Sequence, residues 1–190
     1  MLGVALLLLA GLGTAGCGSG TESELREVRA AAHARFAAQD WSGVLALARG
    51  ALDRLGGDAE LESLAALACL RLDRRSEALT LADTALARDG LSAELQAHLS
   101  WARGAALMQR FRELQSLDDW RLANQALEGG TLAGDYRVES ATALVALQTM
   151  SGLGDTERML RFARLVRELA PASESDRQVT ALLERQGVSR

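Results

Sequence analysis

Shifted by 34 residues, one stretch of this chain falls onto the next. Ala31, Ala32 and Ala34 land on Ala65, Ala66 and Ala68; Leu45, Leu47 and Ala48 land on Leu79, Leu81 and Ala82. Ala51 and Leu52 land on Ala85 and Leu86, and Arg54 and Gly56 on Arg88 and Gly90. A shared order of Leu, Ala and Gly across two helix-length segments predicts a structural unit used more than once. Such a unit cannot bury its apolar face alone, so successive units must stack on one another.

Each unit reads as a helical hairpin. In "TESELREVRAAAHARFAAQ", Thr21 and Glu24 have the spacing of a capping box, and Leu25, Val28, Ala32 and Phe36 recur at helical intervals. "WSGVLALARGALDRLGG" is a second helix closed by Gly56 and Gly57. Asp58 is placed to cap a third helix, "SEALTLADTALARDG" is a fourth that stops at Gly90, and Ser92 caps a fifth that runs to about Arg112. "DDWRLANQALEGG" follows its counterpart by 41 residues, an insertion of roughly seven. A first helix at about 135–151 then precedes "GDTERMLRFARLVRELAP", where Gly154 and Asp155 make the turn and Pro171 the stop. Residues 174–187 form a last helix with Val179, Leu182 and Leu183 on one face, as a cap over an open end requires. The composition agrees. The chain is 48% hydrophobic but only 4% aromatic, the apolar share is mostly Ala and Leu, and Pro171 is its single proline.

The period and the small residues within it resemble the tetratricopeptide repeat family over about residues 25–173. The seats that family keeps small, so that the two helices of a hairpin pack closely, match Ala32, Ala48 and Ala51, then Ala66, Ala82 and Ala85. The Trp, Gly and Tyr usual in its first helices are absent here. The resemblance implies an all-α, right-handed helical-hairpin solenoid of about three to four degenerate repeats with a carboxyl-terminal capping helix. It also implies a concave groove, lined by the first helices, that binds a peptide. Carried over to this sequence, the groove takes Arg26, Arg29, His33 and Phe36 from the first unit, Leu67 and Leu70 from the second, and Trp101, Met108 and Phe111 from the third. That groove is basic at one end and apolar in the middle, and suits a partner with apolar side chains and an acidic group.

The amino terminus gives an address. Residues 1–21 carry no charge, and "VALLLLA" is too short an apolar run to span a bilayer. Thr14-Ala15-Gly16-Cys17 resembles the lipobox of bacterial lipoprotein signals. Thr14 stands where that family usually has a large aliphatic residue, and residues 1–7 lack the usual Lys or Arg. The resemblance implies removal of residues 1–16, a diacylglycerol on Cys17 and a tether over 17–24. It places the domain in the cell envelope, and in a diderm at the outer membrane facing the periplasm. A plain secretory signal or an uncleaved anchor is the alternative.

Chemistry is sparse. Net charge is −4 with both signs interspersed, which argues against nucleic acid. Neither His33 nor His98 sits in a recognisable ligand or triad motif, so no metal, catalytic residue or small-molecule cofactor is assigned. The chain has no lysine and hence no P-loop. Lipidated Cys17 could not form a disulfide, which leaves Cys69 as a lone thiol among helical apolar residues, more naturally a small core residue than a reactive one. The expected function is a membrane-tethered, non-enzymatic scaffold or adaptor for an unidentified envelope protein. The alternatives are a pilotin-like lipoprotein escorting an outer-membrane subunit and, in another class, an envelope enzyme with an unrecognised site.

Overall fold

The structure, a computed structural model, describes residues 17–150 and 153–188, with side chains from Gly20 onward. The signal segment, including Thr14, Ala15 and Gly16, and the side chain of Cys17 lie outside the described residues. Among the described residues there are nine helices and no strand. They are α1 (Cys17–Ala37), α2 (Trp41–Leu55), α3 (Ala59–Arg71), α4 (Arg75–Leu86), α5 (Ala93–Leu114), α6 (Leu117–Gly130), α7 (Arg137–Met150), α8 (Thr156–Leu169) and α9 (Glu174–Arg185). None of them is long and apolar enough to cross a membrane.

The packing order defines an all-α array of helical hairpins. Helices α1 and α2, α3 and α4, α5 and α6, and α7 and α8 pack as pairs. Each odd-numbered helix also touches the next odd-numbered one, from α1 through α9, and each even-numbered helix lies against the odd helix on either side of it. No even helix touches another among the described residues. The odd helices therefore form one continuous layer, and the even helices fill the gaps behind it.

Local chemistry explains where the helices start and turn. Asp58 caps α3 by accepting from the Leu61 amide, Ser92 caps α5 through Leu95, and Asp155 caps α8 through Glu157 and Arg158. The turns inside the first two hairpins repeat atom for atom. Gln39 and Asp73 both have φ of 60°. In the first turn the Gln39 amide donates to the Phe36 carbonyl and the Asp40 amide to Arg35. In the second the Asp73 amide donates to Leu70 and the Arg74 amide to Cys69. Both are left-handed helix stops of the kind that satisfies the last free carbonyls. The aligned pair Arg54 and Arg88 makes analogous tertiary contacts, to glutamates one turn apart in the period. Each closes its own hairpin by reaching a glutamate on the first helix, Glu24 at 2.8 Å and Glu62 at 2.7 Å.

Two expectations change. The first helix begins at Cys17, so "GSGTESE" is its first turns rather than a flexible tether, and Thr21 lies inside the helix rather than at its cap. Once the amphipathic turns after Leu25 are nucleated, adding turns in front of them costs little, because each residue fixed then gains a hydrogen bond. The insertion resolves into helix length: α5 has 22 residues against 13 in α3.

The small seats are closed. Ala32, Ala48, Ala66, Ala82 and Ala85 are fully buried and Ala51 is 1% exposed. Helix α9 ends the array by setting Val179 and Leu183 into the same core as Phe162 and Val166.

Candidate functional site

The exposed side of the odd-helix layer carries two adjoining hollows. One, of about 180 Å3, lies between α1, α3 and α5 and takes His33, Phe36, Leu64, Leu67, Leu95 and His98. The next, of about 250 Å3, is lined by Leu67, Leu70, Arg71, Trp101, Ala105 and Met108. Leu67 and Tyr136 belong to both, so the hollows form one groove. Its floor is aromatic and aliphatic. The Tyr136 ring stacks on Trp101 with centroids 5.9 Å and planes 12° apart, and meets His98 edge-on at 5.2 Å. Phe36 meets Trp41 edge-on at 5.0 Å, and the Arg71 guanidinium lies over the other aromatic of that pair, Trp41, at 5.8 Å. Burial pushes the Tyr136 hydroxyl pKa up against the opposing charge of Arg71, so the ring enters the groove neutral.

Of the residues expected in a groove, His33, Phe36, Leu67, Leu70, Trp101 and Met108 are brought together. Three are not. Phe111 is 3% exposed and packs into the core with Ala123, Leu127 and Leu144, because it stands on the face of α5 that packs against α6. Arg26 is exposed, donates to the Glu22 carbonyl, and lines neither hollow. Arg29 is turned inward. Its guanidinium reaches Asp58 at 2.5 Å and Glu22 and Glu60 at 3.6 Å. The hydrogen bond to Asp58 raises the Arg29 pKa. Burial works to raise the Asp58 carboxyl, but the bonds from Arg29 and the Leu61 amide outweigh it and hold the group below the usual aspartate range.

His33 in turn lies 2.6 Å from Glu60. The amino-terminal end of the groove is thus not basic: its arginine and histidine are each held by acids of α3. The tertiary pairing, over separations of 27 and 29 residues, decides the charge there.

Sequence reasoning missed Tyr136, Glu94 and Asp135. Glu94 and His98 are one turn apart on α5, and Asp135 arrives from the loop after α6. Their ligand atoms lie within 4.8 Å of one another, a set that could hold a metal ion. The available signal was the four-residue step from Glu94 to His98. The third member is 37 residues from His98 and no local pattern announces it. Gly134 makes the approach possible: its φ is +73°, and a Cβ there would come 2.7 Å from His98 Nε2.

Elsewhere the chemistry is quiet. Burial pushes the Cys69 thiol pKa up, despite Arg74 and Arg49, so the buried sulfur stays protonated and unreactive at neutral pH. No hydroxyl or thiol is hydrogen-bonded to either histidine among the described residues. A larger, open depression beside α8 is lined by charges of both signs, of which Arg158 and Arg161 both pair with Glu128. The chain matches no family model, no curated protein and no solved structure.

Proposed function

We propose that this chain is a lipid-anchored, non-enzymatic interaction module of a bacterial envelope, tetratricopeptide-like in its working surface, which holds a peptide segment of a partner protein along the odd-helix layer. The observation that carries the reading is the continuity of the groove. Two hollows share Leu67 and Tyr136 and present Phe36, Leu70 and Trp101 along one surface. Half-buried aromatic and aliphatic side chains in a row can accept successive apolar side chains of one bound segment. The anchor rests on the sequence before Cys17. With α1 starting at Cys17, the helical array would begin directly at the lipid, facing the periplasm of a diderm from the outer membrane.

The test compares three full-length proteins expressed in the native cell. Leu70→Arg places a charge in the groove at a half-buried position, whereas Leu132→Arg changes a residue 79% exposed that lines neither hollow. A partner cross-linked by the parent and by Leu132→Arg but lost from Leu70→Arg, at equal melting temperature, supports the groove. Equal recovery by all three overturns it. Mass spectrometry of the same preparations reads the anchor: a diacylated Cys17 at the amino terminus is expected, and an intact Met1 on exported protein defeats that part.

A further inference from the structure

Resting on that reading of the groove, we propose that the bound segment carries an arginine or lysine, received by Glu94 and Asp135 at the end of the groove formed by the first turns of α3 and α5. The odd helices run in the same direction, because each is separated from the next by one antiparallel partner joined through short turns. Acids favour the first turn of a helix and bases the last, each complementing the helix dipole. Here Glu60 and Glu94 stand in the first turns of α3 and α5, and Arg71 in the last turn of α3. The groove therefore has an acidic end and an arginine end.

Pairing within the chain sharpens that polarity. Glu60 is already engaged by Arg29 and His33. Glu94 and Asp135 make no ion pair among the described residues, yet they converge on His98 with donor atoms within 4.8 Å. The loop is held there at close range: a Cβ on Gly134 would also meet Glu94 Cγ at 3.3 Å, and the Asp135 amide points at His98 Nε2 from 3.4 Å. Two carboxylates this close repel each other until a cation comes between them. Beside them stands Tyr136, stacked on Trp101, which carries the apolar floor up to the acids.

A guanidinium or ammonium group fits this place better than a bare metal ion. The acidic pair adjoins the apolar floor through Tyr136, so one segment can fill the floor and reach the acids together. Closed structural zinc sites use about four protein ligands, whereas the set here has three members, two of them exposed. The basic partner side chain reverses the acidic one that the sequence suggested, and the reason is the capture of Arg29 and His33 by α3.

The experiment is a peptide-display selection on the full-length protein, immobilised by its amino terminus, with EDTA present throughout. A random twelve-residue library is selected in parallel against the parent, Glu94→Gln with Asp135→Asn, and Leu70→Arg. Peptides enriched by the parent are expected to combine apolar residues with an Arg or Lys near one end. The double amide variant is expected to enrich apolar residues without that basic position. For the best peptide, anisotropy titration should show the double variant weakened roughly three- to tenfold at low salt, a gap that narrows at high salt as exposed charges are screened. Apolar peptides with no basic position, or with an acidic one, overturn this inference and leave the groove standing. Peptides enriched equally on Leu70→Arg, or none enriched at all, overturn the groove reading itself. Binding recovered only when zinc replaces EDTA gives the three residues to a metal instead. Glu94→Lys serves as a second variant, and a melting curve for each protein confirms that it is folded.

Discussion

Helices α1 to α4 bury mostly alanine where they cross, at Ala32, Ala48, Ala51, Ala66, Ala82 and Ala85, while α5 to α9 set Met108, Phe111, Leu127, Met159, Phe162 and Val166 beside buried alanines such as Ala123, Ala126 and Ala163. The first region keeps the 34-residue spacing and repeats its turns atom for atom. The second departs from the spacing, lengthens α5, and uses a glycine where α5 crosses α6 closely. A Cβ on Gly104 would lie 2.7 Å from Leu127 Cδ2 and 3.0 Å from the Leu127 amide nitrogen. It also buries a polar link, Gln148 to Asn124 at 2.5 Å, and that glutamine accepts from the Asp155 amide at 3.1 Å. A strict period is thus kept where uniform small seats let each hairpin dock on the last in one geometry. Once bulky side chains fill the seams, each interface needs its own fit and the period lapses.

The sharpest way to break this comparison is to overpack one seam in each region. Ala82→Leu forces three carbons into a fully buried seat and should cost about 1–3 kcal/mol. Gly104→Ala adds a single carbon but meets backbone as well as a side chain, and should fall in the same range of about 1–3 kcal/mol. Urea melts of both variants decide it. If Ala82→Leu unfolds at the parent's midpoint, the alanine seats are not close crossings and the periodic register is wrong.

How far the sequence could be read follows the same division. The helices of the first region, the cap at Asp58, the stop at Gly56 and the Ser92 cap of α5 were legible because each depends on neighbours within a turn or two, whereas α4 stops at Leu86, short of the Gly90 that the sequence suggested. The apolar floor was legible in part: Phe36, Leu67, Leu70 and Trp101 stand at positions set by the period alone. Phe111 was misplaced because it lies on α5 beyond the positions that the period sets, on the face turned to α6. The sign of the groove was illegible. It depends on Arg29 meeting Asp58 and on Asp135 arriving beside His98, contacts that exist only once the hairpins have stacked.

The Arg29–Asp58 pair offers a second, smaller test, because it pins α1 to the cap of α3 in the periodic region. Asp58→Asn keeps the cap acceptor and removes the charge, which should cost about 1–2 kcal/mol at neutral pH, the worth of a hydrogen bond to a charged group. The pH dependence has a definite sign. The folded carboxyl titrates below its unfolded value, so its contribution is fully present above about pH 4 and is lost as the pH falls through the lower, folded pKa. Denaturation midpoints at neutral and at acid pH should converge for parent and variant. A gap between the two proteins that stays constant down to full protonation would show that the carboxylate adds nothing as a charge.

The smallest effect concerns what the two regions share, the left-handed residue in the turn between paired helices. Gln39 has φ of 60° and Gln115 of 55°. An L-residue in that conformation costs about 1–2 kcal/mol, which glycine avoids at an entropic cost of about 0.5–1 kcal/mol. The two glutamines differ in what their side chains do. Gln39 makes no side-chain hydrogen bond among the described residues, while the Gln115 amide donates to the Phe111 and Arg112 carbonyls at 3.4 and 3.1 Å. Gln39→Gly should therefore stabilise the protein by about 0.5–1 kcal/mol. Gln115→Gly should gain less or nothing, because the same substitution removes the side-chain bond to the Arg112 carbonyl at the end of α5 and leaves the Phe111 carbonyl with the residue-115 backbone amide alone. Thermal melts of the two single variants separate the cases. Equal gains at both positions would mean that the Gln115 bonds contribute nothing and that the turn, unlike the core, is interchangeable between the two regions. A loss at Gln39 would mean that the left-handed stop is held by more than its backbone.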